Sequence, residues 1–511
     1  MSFGARSFTT VSFLTLVSRI LGFVREQLIA SYAGAGPFTD AFFLAWRLPN
    51  VFRRLFGEGA FSVSFIPIYA EELKKGPLQA KQFANHVFSI LTLSLLGLVL
   101  FFELFMPYLI YGIAPGFTDN PEQFAHTILY ARIMFPYILL ISLVAFGAGI
   151  LNTVGHFFAA SLSPIVLNLT SILSLLLFQH LIPKALLETL SYAVVVGGCV
   201  QLLILYIGTM KVQLHFKFVR PQLSPTIKKL FQKMVPGALG AGVYQINLFI
   251  SDIIASFIPA AVSYLNYADR INQLPLGTIG VAMSMVLLPH LARCVQGTDK
   301  QALHRAQEKA LIFSLFLCIP AAVALYVLSS DIIEAVYYRN AFTATAWHAT
   351  AKTLAAFSIG LPAYVIIKVL NTNFFARGDT KTPVKVATIC LIINALLTIF
   401  FAWLWQYQGI AFATSVTAWI NVCLLASLLY RAKQLHFQRG FLMRLAKITL
   451  SAAVMGYCLT FINTWLMHQQ IAAIYKILYL IIAGLGIYML FVYVAKAVDL
   501  HELKRSFKKK A

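Results

Sequence analysis

The stretch Ser18-Arg19-Ile20-Leu21-Gly22-Phe23-Val24-Arg25-Glu26 sets two arginines and a glutamate inside an apolar run near the start of the chain. A charge at membrane depth costs roughly 2.5–3.5 kcal/mol on insertion scales, so such residues usually face protein or a water-filled cavity. Further charges follow at Asp40, Arg47, Arg53, Arg54 and Glu58, then at Asp269-Arg270, and Lys368 stands alone in the run Val365–Leu370. Convergent arginines suit a diphosphate, because the planar guanidinium pairs bidentately with phosphate oxygens; a carboxylate would suit them too. The pattern points to a wet, positively biased cavity inside a membrane protein and to an anionic substrate. Helical spacing puts Arg19 and Glu26 on one face, with Arg25 on a neighbouring one. Three readings of this cluster stay open: structural ion pairs, snorkelling at a helix end, and the lining of a substrate cavity. Asp40 reads either as a first-turn acid favoured by the helix dipole or as a neutralising partner for Arg25.

A second set of polar residues lies in other apolar spans. Asp252 is an isolated anion in Phe249–Ile254, and with Asn394, Thr398 and Thr414 it could supply oxygen ligands to Na⁺ or form a proton site. The alternative is ordinary hydrogen bonding between helices. No HExxH, GxSxG or GxxxxGK[ST] pattern occurs, so neither metalloprotease, hydrolase nor nucleotide-driven chemistry is expected. Active transport would then draw on ion gradients or the membrane potential, with no other cofactor. The six cysteines are scattered through apolar segments without CxxC spacing and read as small buried hydrophobes.

These residues must be positioned by helices in lipid. Of 511 residues, 59% are hydrophobic and 11% charged, against about 25% charged in a soluble domain. Mean hydropathy is +0.79. Apolar runs recur from end to end, giving about 14 candidate spans. The fold class expected is an all-α polytopic membrane protein. Arg19 and Arg25 interrupt the first apolar segment, so it reads as a retained helix and not as a cleaved signal. The net charge of +22 invites a nucleic-acid reading, but the basic residues crowd alternate loops. Lys74, Lys75 and Lys81 form one group, Lys211 to Lys233 another, Arg293 to Lys309 a third, while Gly116–Glu122 and Ile258–Ser263 carry none. This is the positive-inside pattern, and it places both termini in the cytoplasm with no nucleic-acid partner.

The longest polar connection, through Pro221-Gln222-Leu223-Ser224-Pro225, divides two membrane halves, and Thr226–Lys233 could lie on the cytoplasmic surface as an amphipathic helix. The halves share spacing. Phe135-Pro136 precedes Asn168 at the same separation as Leu361-Pro362 precedes Asn394, and Arg47 precedes Pro67 much as Arg270 precedes Pro289. Transporters are often built from such repeats. The expected organisation is an N-lobe over 1–212, a linker over 213–232, a C-lobe over 233–435, a C-terminal helix pair over 436–497 and a basic tail over 498–511.

At these residues the chain resembles the MurJ (MviN) lipid II flippase family. The resemblance is carried by Ser18–Arg25, by Thr39-Asp40-Ala41-Phe42-Phe43, and by Leu48-Pro49-Asn50 with Arg53–Phe61. Tyr267-Ala268-Asp269-Arg270 and Thr382-Pro383-Val384-Lys385 fit as well. That family belongs to a larger exporter group with MATE drug exporters and polysaccharide flippases. The resemblance implies 14 helices in two six-helix lobes plus a C-terminal pair that grooves a lipid tail. It implies alternating access around a cationic cavity in the bacterial cytoplasmic membrane, by a monomer. Carried over by motif, Arg19, Arg25, Asp40, Arg53, Arg270 and Lys368 are the substrate-binding charges, the arginines meeting the diphosphate and sugar headgroup of lipid II. Membrane lipids and cell-wall synthesis proteins are the other implied partners. The chain departs from the pattern at Gln273, where relatives carry an acid, and at Thr398, where some carry a carboxylate in a sodium site; Asp252, Asn394 and Thr414 remain as a thinner set. The rivals are a polysaccharide-lipid or multidrug exporter of the same architecture and a membrane-embedded glycosyltransferase. A cation exporter would need an acidic cavity, and a transferase a catalytic acid with a large outer loop.

Overall fold

A computed structural model describes residues 5–53, 60–212, 216–296, 300–435, 440–469 and 471–497. Every regular element among them is helical. Nine helical segments among the described residues are long and apolar enough to cross a membrane, among them Pro77–Ile113, Pro183–Lys211, Lys381–Arg431 and Ala473–Val494. The chain is a multi-pass helical membrane protein, as its composition requires: without water in the bilayer core, each backbone N–H must bond within its own helix.

The chain packs as two compact units, residues 1–263 with 339–343, and residues 264–338 with 344–511. The first holds α1 (Ala5–Ala33), α2 (Pro37–Arg53), α3 (Ala60–Lys75), α4 (Pro77–Ile113), α5 (Pro121–Met134), α6 (Tyr137–Thr153), α7 (Phe158–Leu177), α8 (Pro183–Lys211) and α9 (Pro225–Ser256). Proline at the first helical position opens α2, α4, α5, α8 and α9, where its missing N–H costs nothing. Asn120 and Ser224 cap α5 and α9 by accepting from the N–H groups of Gln123 (3.2 Å) and Ile227 (3.3 Å). Helix α1 packs on α7, α2 on α5, and α3 on α4, α6 and α9. Residues Phe61, Phe65 and Tyr69, one turn apart on α3, stack at 5.1 and 5.5 Å, and Phe146 of α6 packs against Phe65 at 5.3 Å. Between α1 and α2 the chain turns at Gly34, whose φ of +70° and 2.5 Å approach of a would-be Cβ to the Ala341 carbonyl leave room only for glycine.

The connection to α9 is strapped down. The backbone N–H groups of Lys217 and Val219 donate to the buried Asn85 Oδ1 (3.0 Å) and Ser89 Oγ (2.9 Å) of α4, and Phe216 stacks on Phe88. Thr226–Lys233 is not a separate surface helix; it is the first two turns of α9, continuous to Ser256. Lys229 pairs with Glu71 at 2.8 Å, and that hydrogen bond holds the Glu71 carboxyl below its ordinary value.

The second unit takes in most of α10 (Ala261–Gln296), then α11 (Lys300–Val327), α12 (Ser329–Tyr337), α13 (Ala344–Ser358), α14 (Leu361–Ala376), α15 (Lys381–Arg431), α16 (Phe441–Met467) and α17 (Ala473–Val494). Helix α15 is two helices joined at Trp405 and Gln406, where Gln406 takes a φ of +51°. The chain then returns so closely that a Cβ on Gly409 would sit 1.9 Å from the Phe401 carbonyl. Helix α16 packs on α11 and α17 on α16, around Leu315, Phe316, Ile448, Leu459 and Leu480. The repeat read from spacing recurs as structure. Pro136 sits at the break between α5 and α6, and Pro362 just after the break between α13 and α14, each pair being followed by a longer helix that carries Asn168 or Asn394.

Candidate functional site

The arginines of the first unit differ in how they are held. Arg19, on α1, is exposed and has no hydrogen-bond or ion-pair partner among the described residues. One and a half turns on, Arg25 donates to Asn168 Oδ1 of α7 (3.1 Å) and to Glu26 Oε1 (2.9 Å), with its side chain 12% exposed. Asn168 also donates to the Ser18 carbonyl at 3.0 Å, so one amide ties α1 to α7 and sets the Arg25 fork. Phe42, Phe43, Trp46 and Ser171 close round Arg25 and Glu26, leaving a crevice of about 10 Å³, room for about one water. The snorkelling alternative therefore fails for this pair: both charges point into protein. Two charges in a low-dielectric setting hold each other only with good hydrogen-bond geometry, and Asn168 supplies what the glutamate leaves unfilled.

Asp40, in the first turn of α2, does not neutralise Arg25. Its carboxylate accepts from the backbone N–H of Ser263 at 2.7 Å and from the Ser263 hydroxyl. A carboxylate there meets the buried first-turn backbone of α10, whose N–H groups have no partner within the helix, and the helix dipole favours it. The reading that paired Asp40 with Arg25 rested on the short Gly34–Pro37 turn and could not foresee a partner 223 residues on. Arg53 ends α2 and donates through Nε to Asn50 Oδ1, one turn back, at 3.1 Å. Arg54 and Glu58 lie outside the described residues.

Asp252 is gripped by Arg47: Nη1 lies 2.5 Å from Oδ1, the side chains being 21% and 4% exposed. The sequence reading put Arg47 in the arginine cluster and Asp252 in a cation site; folding joins them, α2 to α9. The other residues of that set are in the second unit. The Asn394 carbonyl accepts from Thr417 Oγ1 at 3.0 Å, and Thr414 bonds back to the Ile410 carbonyl at 3.0 Å.

Arg270 and Lys368 also belong to the second unit, Arg270 half-buried on α10 and Lys368 exposed on α14. Asp269 takes its hydrogen bond from the Gln273 amide one turn on. An amide at 273 donates where an acid would repel, which explains how this chain accommodates its departure there. One charged group escaped the sequence reading altogether. Lys476 of α17 reaches Asp331 of α12 at 2.7 Å, and Asn463 of α16 donates to the second Asp331 oxygen at 2.9 Å. A lysine isolated in the last apolar run was the signal.

Comparison with known proteins gives the lineage. Residues 29–481 match the family model described as lipid II flippase MurJ. A protein of Rhizobium tropici named "Probable lipid II flippase MurJ" is 39% identical over 99% of this chain and 97% of its own length. One of Burkholderia cenocepacia named "Lipid II flippase MurJ" is 34% identical over 82% of each chain. Among solved structures, "Lipid II flippase MurJ, inward closed conformation" superposes with a TM-score of 0.80 at 29% identity, covering 95% of this chain and 98% of that one. An inward-facing MATE family multidrug transporter matches with a TM-score of 0.63 at 15% identity over 81% of this chain and 96% of its own, a likeness of fold alone. With its charged motifs in place and near full-length similarity on both measures, this chain belongs to the MurJ lipid II flippase family.

Proposed function

We propose that the chain is a lipid II flippase, a transporter and not an enzyme, carrying the undecaprenyl-diphosphate-linked peptidoglycan precursor from the cytoplasmic to the outer leaflet of the bacterial cytoplasmic membrane. The observation that supports this best is the division of labour among the arginines. Arg25 is tied down by Asn168 and Glu26 and holds α1 on α7, while Arg19 is exposed with no partner among the described residues, free to take a new anion. An exposed guanidinium can reach for phosphate, and a helix already fixed by its neighbour loses little entropy when it does. Arg53, Arg270 and Lys368 are the further cations that the family motifs assign to the headgroup, and Asp40, held by Ser263, keeps α2 in register. Exposure of the headgroup site alternates between the two sides of the membrane, driven by an ion gradient or by the membrane potential acting on these charges. The termini lie in the cytoplasm, following the basic loops. The chain acts as a monomer with lipid II, surrounding lipids and cell-wall synthesis proteins as its partners.

The test is depletion of the protein in its native cell with an assay of lipid II at the outer leaflet. Exposure should fall while lipid II accumulates inside, and alanine at Arg19, Arg25, Arg53 or Arg270 should fail to restore it. Full restoration by all four variants would sink the arginine reading; unchanged exposure on depletion, in a strain with no second flippase, would sink the flippase reading.

A further inference from the structure

We infer that Arg47 stands in for a metal cation at Asp252, so that this chain holds Asp252 as half of an internal ion pair and not as a sodium ligand. The sequence offers Asp252 as a sodium ligand, and the arginine already seated on its carboxylate leaves no place for the ion. Asp252 sits 4% exposed on α9, where a lone carboxylate would demand a compensating charge, and the Arg47 guanidinium supplies it at 2.5 Å. The pair is neutral. A sodium ion entering beside it would add an uncompensated charge to a desolvated site and face the guanidinium directly.

The guanidinium therefore excludes sodium from Asp252 and fastens α2, which carries Asp40 and Arg53, to α9. Removing it should uncover the latent cation site. The consequence for coupling rests on the flippase reading, since it leaves turnover to another ion or to the membrane potential; the ion-binding claim does not, and its test reads binding and not transport.

The full chain, purified in detergent, is compared in NaCl, KCl and choline chloride at equal ionic strength, following its melting temperature and its binding of radiolabelled sodium. The native chain should show no sodium-specific shift and no saturable binding. Arg47→Ala and the bulkier Arg47→Gln should each gain a melting-temperature rise specific to sodium, and Arg47→Lys, which keeps the charge, should not. Adding Asp252→Asn to either neutral variant should abolish the gain. A sodium-specific rise in the native chain that Asp252→Asn removes would overturn the inference, as would a folded Arg47→Ala or Arg47→Gln that binds no sodium. Should neither neutral variant fold, the native chain with Asp252→Asn decides alone: saturable sodium binding lost on that substitution overturns the inference, and its absence in both upholds it.

Discussion

Replacing Lys476 with methionine should unfold far more than one contact, and the double replacement should undo the damage. Asp331 receives Lys476 Nζ at 2.7 Å and Asn463 Nδ2 at 2.9 Å, and the two charged side chains are 6% and 11% exposed. Taking one partner from a buried pair leaves the other charge desolvated and unpaired, at a cost of about 3–5 kcal/mol. Lys476→Met strands the carboxylate; Asp331→Asn strands the ammonium. Independent effects would sum to about 6–10 kcal/mol in the double variant. Yet that variant leaves neither member of the pair stranded: the substituted amide can still bond to Asn463, and the methionine side chain fills the lysine's volume. Its cost should therefore be within about 1 kcal/mol of native, or the change should stabilise. Denaturant titration of the four proteins in one detergent, followed by loss of helical far-ultraviolet signal, measures the cycle. Additive losses in the double variant would refute the reasoning. So would single variants within about 1 kcal/mol of native, since the pair would then be solvated in practice.

Two smaller predictions concern the first unit. In a stability cycle between Asn168→Ala and Arg25→Ala, the coupling should be about 0.6–1.7 kcal/mol, the range for polar contacts between membrane helices, and additivity would show that Asn168 does not hold Arg25. The strap before α9 should loosen in acid. Glu71 has its carboxyl held below the ordinary value of 4.5 by the Lys229 hydrogen bond. Its contribution is thus complete above that ordinary value and lost as pH falls through the lower folded one. Hydrogen exchange at the Lys217 and Val219 amides, corrected for intrinsic rate, should show a loss of protection in that window in the native chain and not in Lys229→Ala; parallel profiles would contradict this.

Fold class and the repeat were legible because both are periodic in apolar residues and prolines: the Pro136 and Pro362 breaks fall where the matched spacing put them. The charged residues were visible too, since an arginine in an apolar run stands out. Their partners were not. Asp40 finds Ser263, Arg47 finds Asp252 and Arg25 finds Asn168, each more than 140 residues away, and sequence spacing on one helix says nothing of which neighbour arrives across from it. Lys476 was overlooked because a single cation cannot dilute the hydropathy of the run around it. The α9 boundary was misread for the opposite reason: the polar first turns hid a helix whose apolar residues Ile227 and Leu230 are buried within its own unit.

The sharp reversal at Trp405–Gln406 also decides where the molecule will accept a handle. With Gly409 against the Phe401 carbonyl and the rings of Phe401 and Trp405 stacked at 5.3 Å, that corner has no slack for an inserted epitope, and a reporter placed there would unwind both flanking helices and misreport topology. Gly155 and Gly378 turn with positive φ and have nothing within 4 Å of a would-be Cβ. Both corners have space outside the backbone, so a label spliced beside either glycine, leaving it in place, is the less invasive way to map which side of the membrane each hairpin faces.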